Sequence, residues 1–318
     1  MKIPDLLEIA IEEKIQNIKI TELKEIAQEL SNRYMNEKRS GQTLLAKEKE
    51  ALAYLGIRMP ATFCAIMTAL KNTLNVATNC NIETVLDIGA GTGAAAWAIT
   101  EQIENTKIAC LEREEAMRNI GQALMKYNSE LSQVEWIDAD ITKNENINGA
   151  DLIISSYMIN ELKQEERKKV IQKLLELESK IILIIEPGTP EGFKNIKEIQ
   201  KIALEKGAHI IAPCTHQNLC KLPKDDWCHT TVRVERNKIQ KILKSGDAPY
   251  EDEKFSYIAI SKENFGTVES RILRHPIIET GKITLKLCTN GDIEQRIITK
   301  KEKELFKQAK KKKCGDSI

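Results

Sequence analysis

The apolar and polar positions divide the chain into three stretches. Over residues 1–78 apolar positions recur at helical spacing. In "ITELKEIAQELSNRYM", Leu23, Ile26, Ala27, Leu30 and Tyr34 fall on one face. "ALAYLGIRMPATFCAIMTAL" carries a second such pattern, with Phe63, Ile66, Met67 and Leu70 following Pro60. Proline in a first turn forfeits no backbone bond, so this helix is expected to start near Pro60. Over residues 79–206 short apolar runs alternate with helical ones. "ETVLDIG", "KIACLE", "QVEWIDAD", "DLIISSY" and "KIILIIEPG" read as strands, and strands alternating with helices predict a parallel sheet covered on both faces. Residues 207–318 are less regular. They hold the strand-like "FSYIAIS" and "GKITLKLCTNGDIEQRIIT", in which "TNGD" reads as a hairpin turn. The expected class is α/β, with an N-terminal helical region, a central core and a cysteine-rich, β-containing extension with a basic tail.

The stretch "VLDIGAGTGAAAWAI" is the first chemical signal. A strand ends near Asp87, glycines stand at Gly89, Gly91 and Gly93, and a helix follows. Glycines there permit a tight turn and close approach of a ligand to the backbone. The spacing is G-x-G-x-G, not the G-x-G-x-x-G of dinucleotide folds. The next strand ends in Glu112, placed to bind ribose hydroxyls, and the third reaches Asp140, placed to accept from an adenine amino group. This set resembles the Rossmann-like class I methyltransferases that bind S-adenosylmethionine. By that resemblance Asp87 helps hold the donor's amino group, and Ser155 belongs to the same site. An NAD site, or a glycine turn with no ligand, is the alternative. The fourth strand, "DLIISSYMINEL", lacks the N/D-P-P-Y/F signature of amino-methylating enzymes and the Pro-Cys of cytosine C5 methylation. Ser155, Ser156, Tyr157 and Asn160 fall near the pocket by topology, without an assigned catalytic role. Methyl transfer asks mainly for positioning, so a missing base does not exclude it.

Composition adds the compartment and the partners. The 318 residues are 42% hydrophobic and 30% charged, with a net charge of +1. No run suggests the ~20 apolar residues of a membrane span. The beginning, "MKIPDLLEIAIEEKI", is acidic early and unlike a transit peptide. A cytoplasmic protein with no membrane partner is expected. Disulfides are rare there, which turns attention to metal or catalytic cysteines. Cys214, Cys220 and Cys228 lie within fifteen residues, and Cys288 follows with 59 residues between it and the last of them. Four thiolates complete a zinc site or hold an iron–sulfur cluster. Zinc modules usually use close C-x₂₋₄-C pairs, so these gaps suit a bulkier cluster better, with His216 and His229 as rival zinc ligands. Core cysteines are the bland alternative, and Cys64, Cys80, Cys110 and Cys314 read as isolated small hydrophobes. Eight lysines between Lys300 and Lys313, and the run Arg233, Arg236, Lys238, Lys241 and Lys244, could contact phosphate backbones. Solvated surface is the alternative reading.

Together with "LSNRYM", "AYLGIRMPATFCAI", "IIEPGTPEGF", "APCTH", "WCHTTVRVER", "RILRHP" and "AKKKKCGD", these motifs resemble the methyltransferase-like proteins associated with the small ribosomal subunit, known in mitochondria and in prokaryotic relatives. The resemblance spans most of the chain. It implies a [4Fe–4S] cluster on Cys214, Cys220, Cys228 and Cys288, with zinc as the alternative, and small-subunit rRNA rather than DNA as partner. Without a transit-like beginning, a prokaryotic member is expected. It implies either an S-adenosylmethionine-dependent rRNA methyltransferase or a non-catalytic assembly factor that retains the donor site. A small-molecule methyltransferase is a third possibility, disfavoured by the basic tail. Family members often carry Trp where Cys314 stands, so this chain departs from the pattern there.

Overall fold

A computed structural model describes residues 1–36, 48–143, 146–244 and 246–318. Three helices come first: α1 (Asp5–Ile15), α2 (Ile20–Asn36) and α3 (Glu48–Leu74). An alternating run follows: β1 (Thr84–Ile88), α4 (Ala94–Thr100), β2 (Lys107–Leu111), α5 (Glu115–Met125), β3 (Glu135–Ile137), β4 (Leu152–Ser156), α6 (Gln164–Glu176), β5 (Ile181–Pro187), α7 (Pro190–Glu205) and β6 (His209–Ala212). The rest is β7 (Thr230–Glu235), α8 (Lys238–Leu243), β8 (Tyr250–Ser261), β9 (Ser270–Ile272), β10 (Ile277–Glu279), β11 (Lys282–Thr289), β12 (Asp292–Thr299) and α9 (Lys303–Lys311). Two compact units form. The first comprises Met1–Thr68, Asn81–Ser179 and Val232–Glu253, the second Ala69–Cys80, Lys180–Thr231 and Lys254–Ile318.

In the first unit, β3, β2, β1 and β4 lie side by side and all parallel. Val85 through Ile88 are buried, as are Leu152 to Ser155, which is why these strands read as unbroken apolar runs rather than alternating ones. The chain leaves β1 toward β2 on one side, while β4 lies on the other. That reversal opens a crevice at the C-terminal ends of the strands, the usual place for a ligand in such sheets. α5 turns Met117, Ile120, Gly121 and Leu124 inward. Gly121 is required by packing: a Cβ there would stand 2.3 Å from the Trp136 ring.

α3 differs from the expectation. It begins at Glu48, so Pro60 lies well inside the helix rather than in its first turn. An interior proline costs ~3 kcal/mol through its lost bond and ring clash. Ala51, Ala53, Leu55 and Met59, on the upstream side, are buried, and that burial carries the helix through. Gly56, four residues before Pro60, is crowded by Leu243 and Ile15, whose side chains lie 2.7 and 3.1 Å from where a Cβ would be. α3 is also long and apolar enough to cross a membrane, but 78% of its most apolar window is buried inside the fold, as in a core helix. In α2, Leu23, Ala27 and Leu30 are buried and Ile26 partly so, as the spacing predicts, while the Tyr34 side chain lies outside the described residues.

In the second unit, β5 and β6 both run antiparallel to β8. A separate sheet carries β10, β11 and β12 in order, with β9 on the free end of β11. Its inner face packs Ile272, Ile283, Leu285, Leu287 and Ile298 against Ala309, with Leu305 and Phe306 of α9 adjoining. The "TNGD" turn forms as its residues dictate. Thr289 pairs with Asp292, and Asn290 and Gly291 take φ of 47° and 91°, the left-handed pair of a type I′ hairpin. "EPGTPEG" ends β5 and starts α7, where Thr189 accepts a hydrogen bond from the Gly192 N–H at 3.1 Å and Pro190 follows in the first turn. Thr189→Ala is expected to lower the stability of this unit by ~1 kcal/mol in urea denaturation, while Thr189→Ser preserves it. Equal loss from both variants would mean that the cap contributes through its methyl group instead.

Candidate functional site

The crevice of the first unit holds a pocket of about 100 Å³. Gly89, Gly91, Glu112 and Asp140 line it, as do Tyr157 and Glu161. Gly89 and Gly91 take φ of 71° and 58°, so the turn after β1 needs glycine. Met158 packs so closely over Gly89 that a Cβ there would stand 2.6 Å from its Cγ. Glu112 binds the turn directly. One carboxylate oxygen accepts from the Gly91 N–H at 2.8 Å and the other from the Glu114 N–H at 2.9 Å. Burial raises the Glu112 carboxyl despite those two bonds. Burial also acts on Asp140, but the Thr142 hydroxyl and N–H, at 2.7 and 3.0 Å, and the Arg113 guanidinium outweigh it and hold that carboxyl below its ordinary value.

Asp87, Gly93 and Ser155 do not line the pocket. Asp87 is wholly buried behind the turn, and neither of its carboxyl oxygens has a hydrogen-bond partner. Burial, and then the nearby Glu112, push it up to about 8. The Ser155 hydroxyl is likewise buried and unpartnered. Around Gly93, a Cβ would meet the Met125 methyl at 2.5 Å and the Trp136 ring at 3.5 Å.

Among the lining residues that escaped the sequence reading are Tyr54, Met158 and Glu161. Tyr54 arrives from α3. Glu161 is pushed up to about 7, by burial first and Glu112 second. Beside them, Tyr157 adopts a φ of 60°, uncommon for a bulky residue. Its hydroxyl donates to Glu253 at 2.9 Å, and Arg58 donates to both oxygens of the same carboxylate at 2.9 and 3.3 Å. Arg58 also lies 5.5 Å from the centre of the Tyr157 ring. Positions 58, 157 and 253 are too far apart in sequence to have signalled this cluster.

The second unit holds a smaller cavity of about 40 Å³, room for roughly three waters. Cys214, Cys220, Cys228 and Cys288 all line it, with His216 and His229. Gln200 of α7 sets two of the cysteines: it donates to the Cys214 sulfur at 3.4 Å and accepts from the Cys220 N–H at 3.2 Å. The Ser256 hydroxyl donates to the Cys228 carbonyl at 2.7 Å, and the Thr215 hydroxyl stands 3.4 Å from the Cys288 sulfur. Burial pushes Cys214 up to about 12, aided by Cys220 and Cys288, and holds Cys228 and Cys220 above their ordinary values. A metal entering here would displace thiol protons. No three His, Cys, Asp or Glu side chains among the described residues are grouped to hold a single metal ion.

Cys314 is not an isolated core residue. Buried in this unit, its thiol donates to the His229 carbonyl at 3.1 Å and the Leu273 carbonyl at 3.3 Å. Cys64 and Cys110 are buried and Cys80 partly exposed. Three residues of the basic run at 233–244 carry ion pairs. Arg233 pairs with Asp252, while Arg236 and Lys244 both pair with Glu251. The lysines of the 300–313 segment behave differently: Lys300, Lys301, Lys303, Lys310, Lys311 and Lys313 are exposed.

Comparison with known proteins gives a family model described as "Mitochondrial small ribosomal subunit Rsm22" that matches residues 48–318. The chain is 21% identical over 300 residues to the human "Ribosome assembly protein METTL17, mitochondrial", covering 87% of this chain and 64% of that protein. It is also 21% identical over 325 residues to the "Rsm22-cox11 tandem protein 2, mitochondrial" of Schizosaccharomyces pombe, covering 85% and 43%. The chain thus spans under two thirds of these relatives' lengths. Among solved structures, magnesium protoporphyrin IX methyltransferase of Synechocystis with bound SAM matches at TM-score 0.41 and 13% identity, over 76% of this chain and 97% of that one. The plantazolicin methyltransferase matches at 0.46 and 12%, over 80% and 99%.

The family description and the relatives' names overturn the expectation of a cytoplasmic protein, because all are mitochondrial. The residues behind that expectation are structural. The acid-bearing start folds as α1 and buries Leu7, Ala10, Ile11 and Ile15, and packing of that kind carries no address.

Asp87 makes stability depend on pH. Its carboxyl ordinarily ionises near 3.8 and in the folded chain near 8. Between those values the folded form keeps a proton that the unfolded form releases, so stability falls as pH rises, and it is flat outside the window. Glu112 and Glu161 add slopes of the same sign. Asp87→Asn removes only the Asp87 part. From pH 5 to 8, the variant's calorimetric midpoint should gain roughly 5 °C on wild type. An offset that does not change with pH would show that Asp87 is already ionised in the fold.

Proposed function

This chain belongs to the mitochondrial small ribosomal subunit Rsm22 family, and on that premise we propose that it is an S-adenosylmethionine-dependent rRNA methyltransferase of small-subunit biogenesis that carries a [4Fe–4S] cluster. The observation that carries the donor half is the pocket at the end of β1, where the glycine turn, Glu112 and Asp140 converge. Glu112 is placed to exchange a backbone bond for the donor's ribose hydroxyls, and Asp140 to accept from its adenine. Asp87, buried behind the turn without a partner, would accept from the donor's amino group, directly or through water, with Ser155 and Gly93 supporting the turn from behind. The bound donor supplies an electrophilic methyl group. The chain's own contribution is to hold donor and acceptor in line and exclude water. Glu161, poised near neutrality in the same pocket, is positioned to take a proton from the acceptor.

Cys214, Cys220, Cys228 and Cys288 would hold the cluster. Their convergence on one cavity supports this. A single zinc, at ~2.3 Å from each sulfur, would draw the four sulfurs to within about 3.8 Å of one another. The cluster would tie the segment between β6 and β7, which carries Cys214, Cys220 and Cys228, to Cys288 near the end of β11, ordering an irregular region.

The exposed lysines at 300–313 are the surface offered to rRNA. A second reading, an assembly factor that binds rRNA without transferring methyl, is favoured by the human relative's printed name and by Met158 lying over Gly89. Mass spectrometry of small-subunit rRNA from cells with and without the gene separates the two. A methyl group missing without the gene is expected, whereas unchanged modification with immature subunits would establish the assembly factor. Calorimetry should detect donor binding that Gly91→Arg abolishes, and a silent wild type would defeat the donor assignment. Changing Lys310, Lys311 and Lys313 to Gln should weaken rRNA binding and flatten its log–log salt slope by roughly 2–3. An unaltered slope would place the contact elsewhere.

A further inference from the structure

Arg271 is 3% exposed. Its Nε donates to the Pro213 carbonyl and its Nη1 to the Gly315 carbonyl, both neutral acceptors. Among the described residues no carboxylate pairs with it. The nearby Asp226 is taken by Arg274 and Lys286. A guanidinium cannot shed its proton to escape burial, and a buried cation without a counter-charge is strongly unfavourable.

The position of Arg271 supplies the rest of the argument. In the β9–β11 ladder it stands directly opposite Cys288, so the two Cβ atoms share a face at neighbour distance. Its side chain lines the same cavity as Cys214, Cys220 and Cys228. Both of its carbonyl partners adjoin cysteines, Cys214 and Cys314. Four thiolates outweigh the two positive charges of a zinc ion or an oxidised four-iron core, so a centre held by these cysteines is net negative.

We propose that Arg271 is the buried counter-cation of the thiolate-ligated centre, so that the second unit reaches charge balance only when the four cysteines are ligating. The inference rests on the metal reading above and adds to it a residue that touches no metal. Arg271 holds the centre by charge and sets how readily it accepts an electron. The fold tolerates the arginine through its two carbonyl bonds, and the centre neutralises it.

The test compares anaerobically purified wild type, Arg271→Lys and Arg271→Gln. Gln keeps a donor for a carbonyl but loses the charge, whereas Lys keeps the charge. Iron and sulfide content, the rate of iron release to a chelator and the reduction midpoint by electron paramagnetic resonance are read for each. Arg271→Gln should release iron roughly tenfold faster than wild type with a more negative midpoint, while Arg271→Lys stays within about threefold with a midpoint near wild type. The metal-free proteins should order oppositely, with Arg271→Gln at least as thermostable as wild type, and this readout serves even if the loaded variant is too labile to purify. Equal behaviour of Gln and Lys, or a metal-free Arg271→Gln that melts below metal-free wild type, overturns the inference and leaves the metal reading intact. Wild type without iron or sulfide overturns both.

Discussion

A charge removed from water must meet its opposite or be neutralised by a proton gained or lost, and each unit of this protein buries an ionisable group without that partner. In the first unit it is Asp87, wholly enclosed with both oxygens unbonded. In the second it is Arg271, 3% exposed and bonded only to carbonyls. Asp87 can answer by staying protonated, and its carboxyl rises accordingly. Arg271 has no such escape. Both stand beside a cavity lined by the residues that make their segment unusual, the glycine turn in one case and the four cysteines in the other.

The two sites are built by different means. The donor-type pocket is a consequence of topology: parallel strands reverse direction of growth at β1, and the turn after β1 must be glycine because its backbone is left-handed. The cysteine cavity depends on tertiary assembly, bringing together β11, the stretch between β6 and β7, and Gln200 of α7. A pocket of the first kind forms whenever the strand order does. One of the second kind gains stability from whatever binds it.

What the sequence could tell follows the same division. β1, β4 and β5 were readable because each is a short, largely apolar run buried on both faces, and the hairpin at Asn290–Gly291 because only a few residues tolerate its backbone. Glu112 and Asp140 were readable as acids at strand ends. Tyr54, Glu161 and the Arg58–Tyr157–Glu253 cluster were not, because nothing local marks a residue whose importance comes from a neighbour a hundred positions away. The start of α3 was misplaced by giving Pro60 more weight than the buried face upstream. Arg233, Arg236 and Lys244 gave no sign of being paired because their acids, Glu251 and Asp252, come from the following strand. Arg271 was passed over for the opposite reason: a single arginine in a strand reads as surface until its burial is known.

In the proposed reading of the second unit, four sulfurs and one guanidinium would share one inorganic anion. Mössbauer spectroscopy of protein purified anaerobically from iron-57-grown cells, with iron and acid-labile sulfide measured on the same sample, tests this most directly. The account predicts equal amounts of iron and sulfide and the quadrupole doublet of a [4Fe–4S] centre. Stoichiometric zinc without sulfide would contradict it.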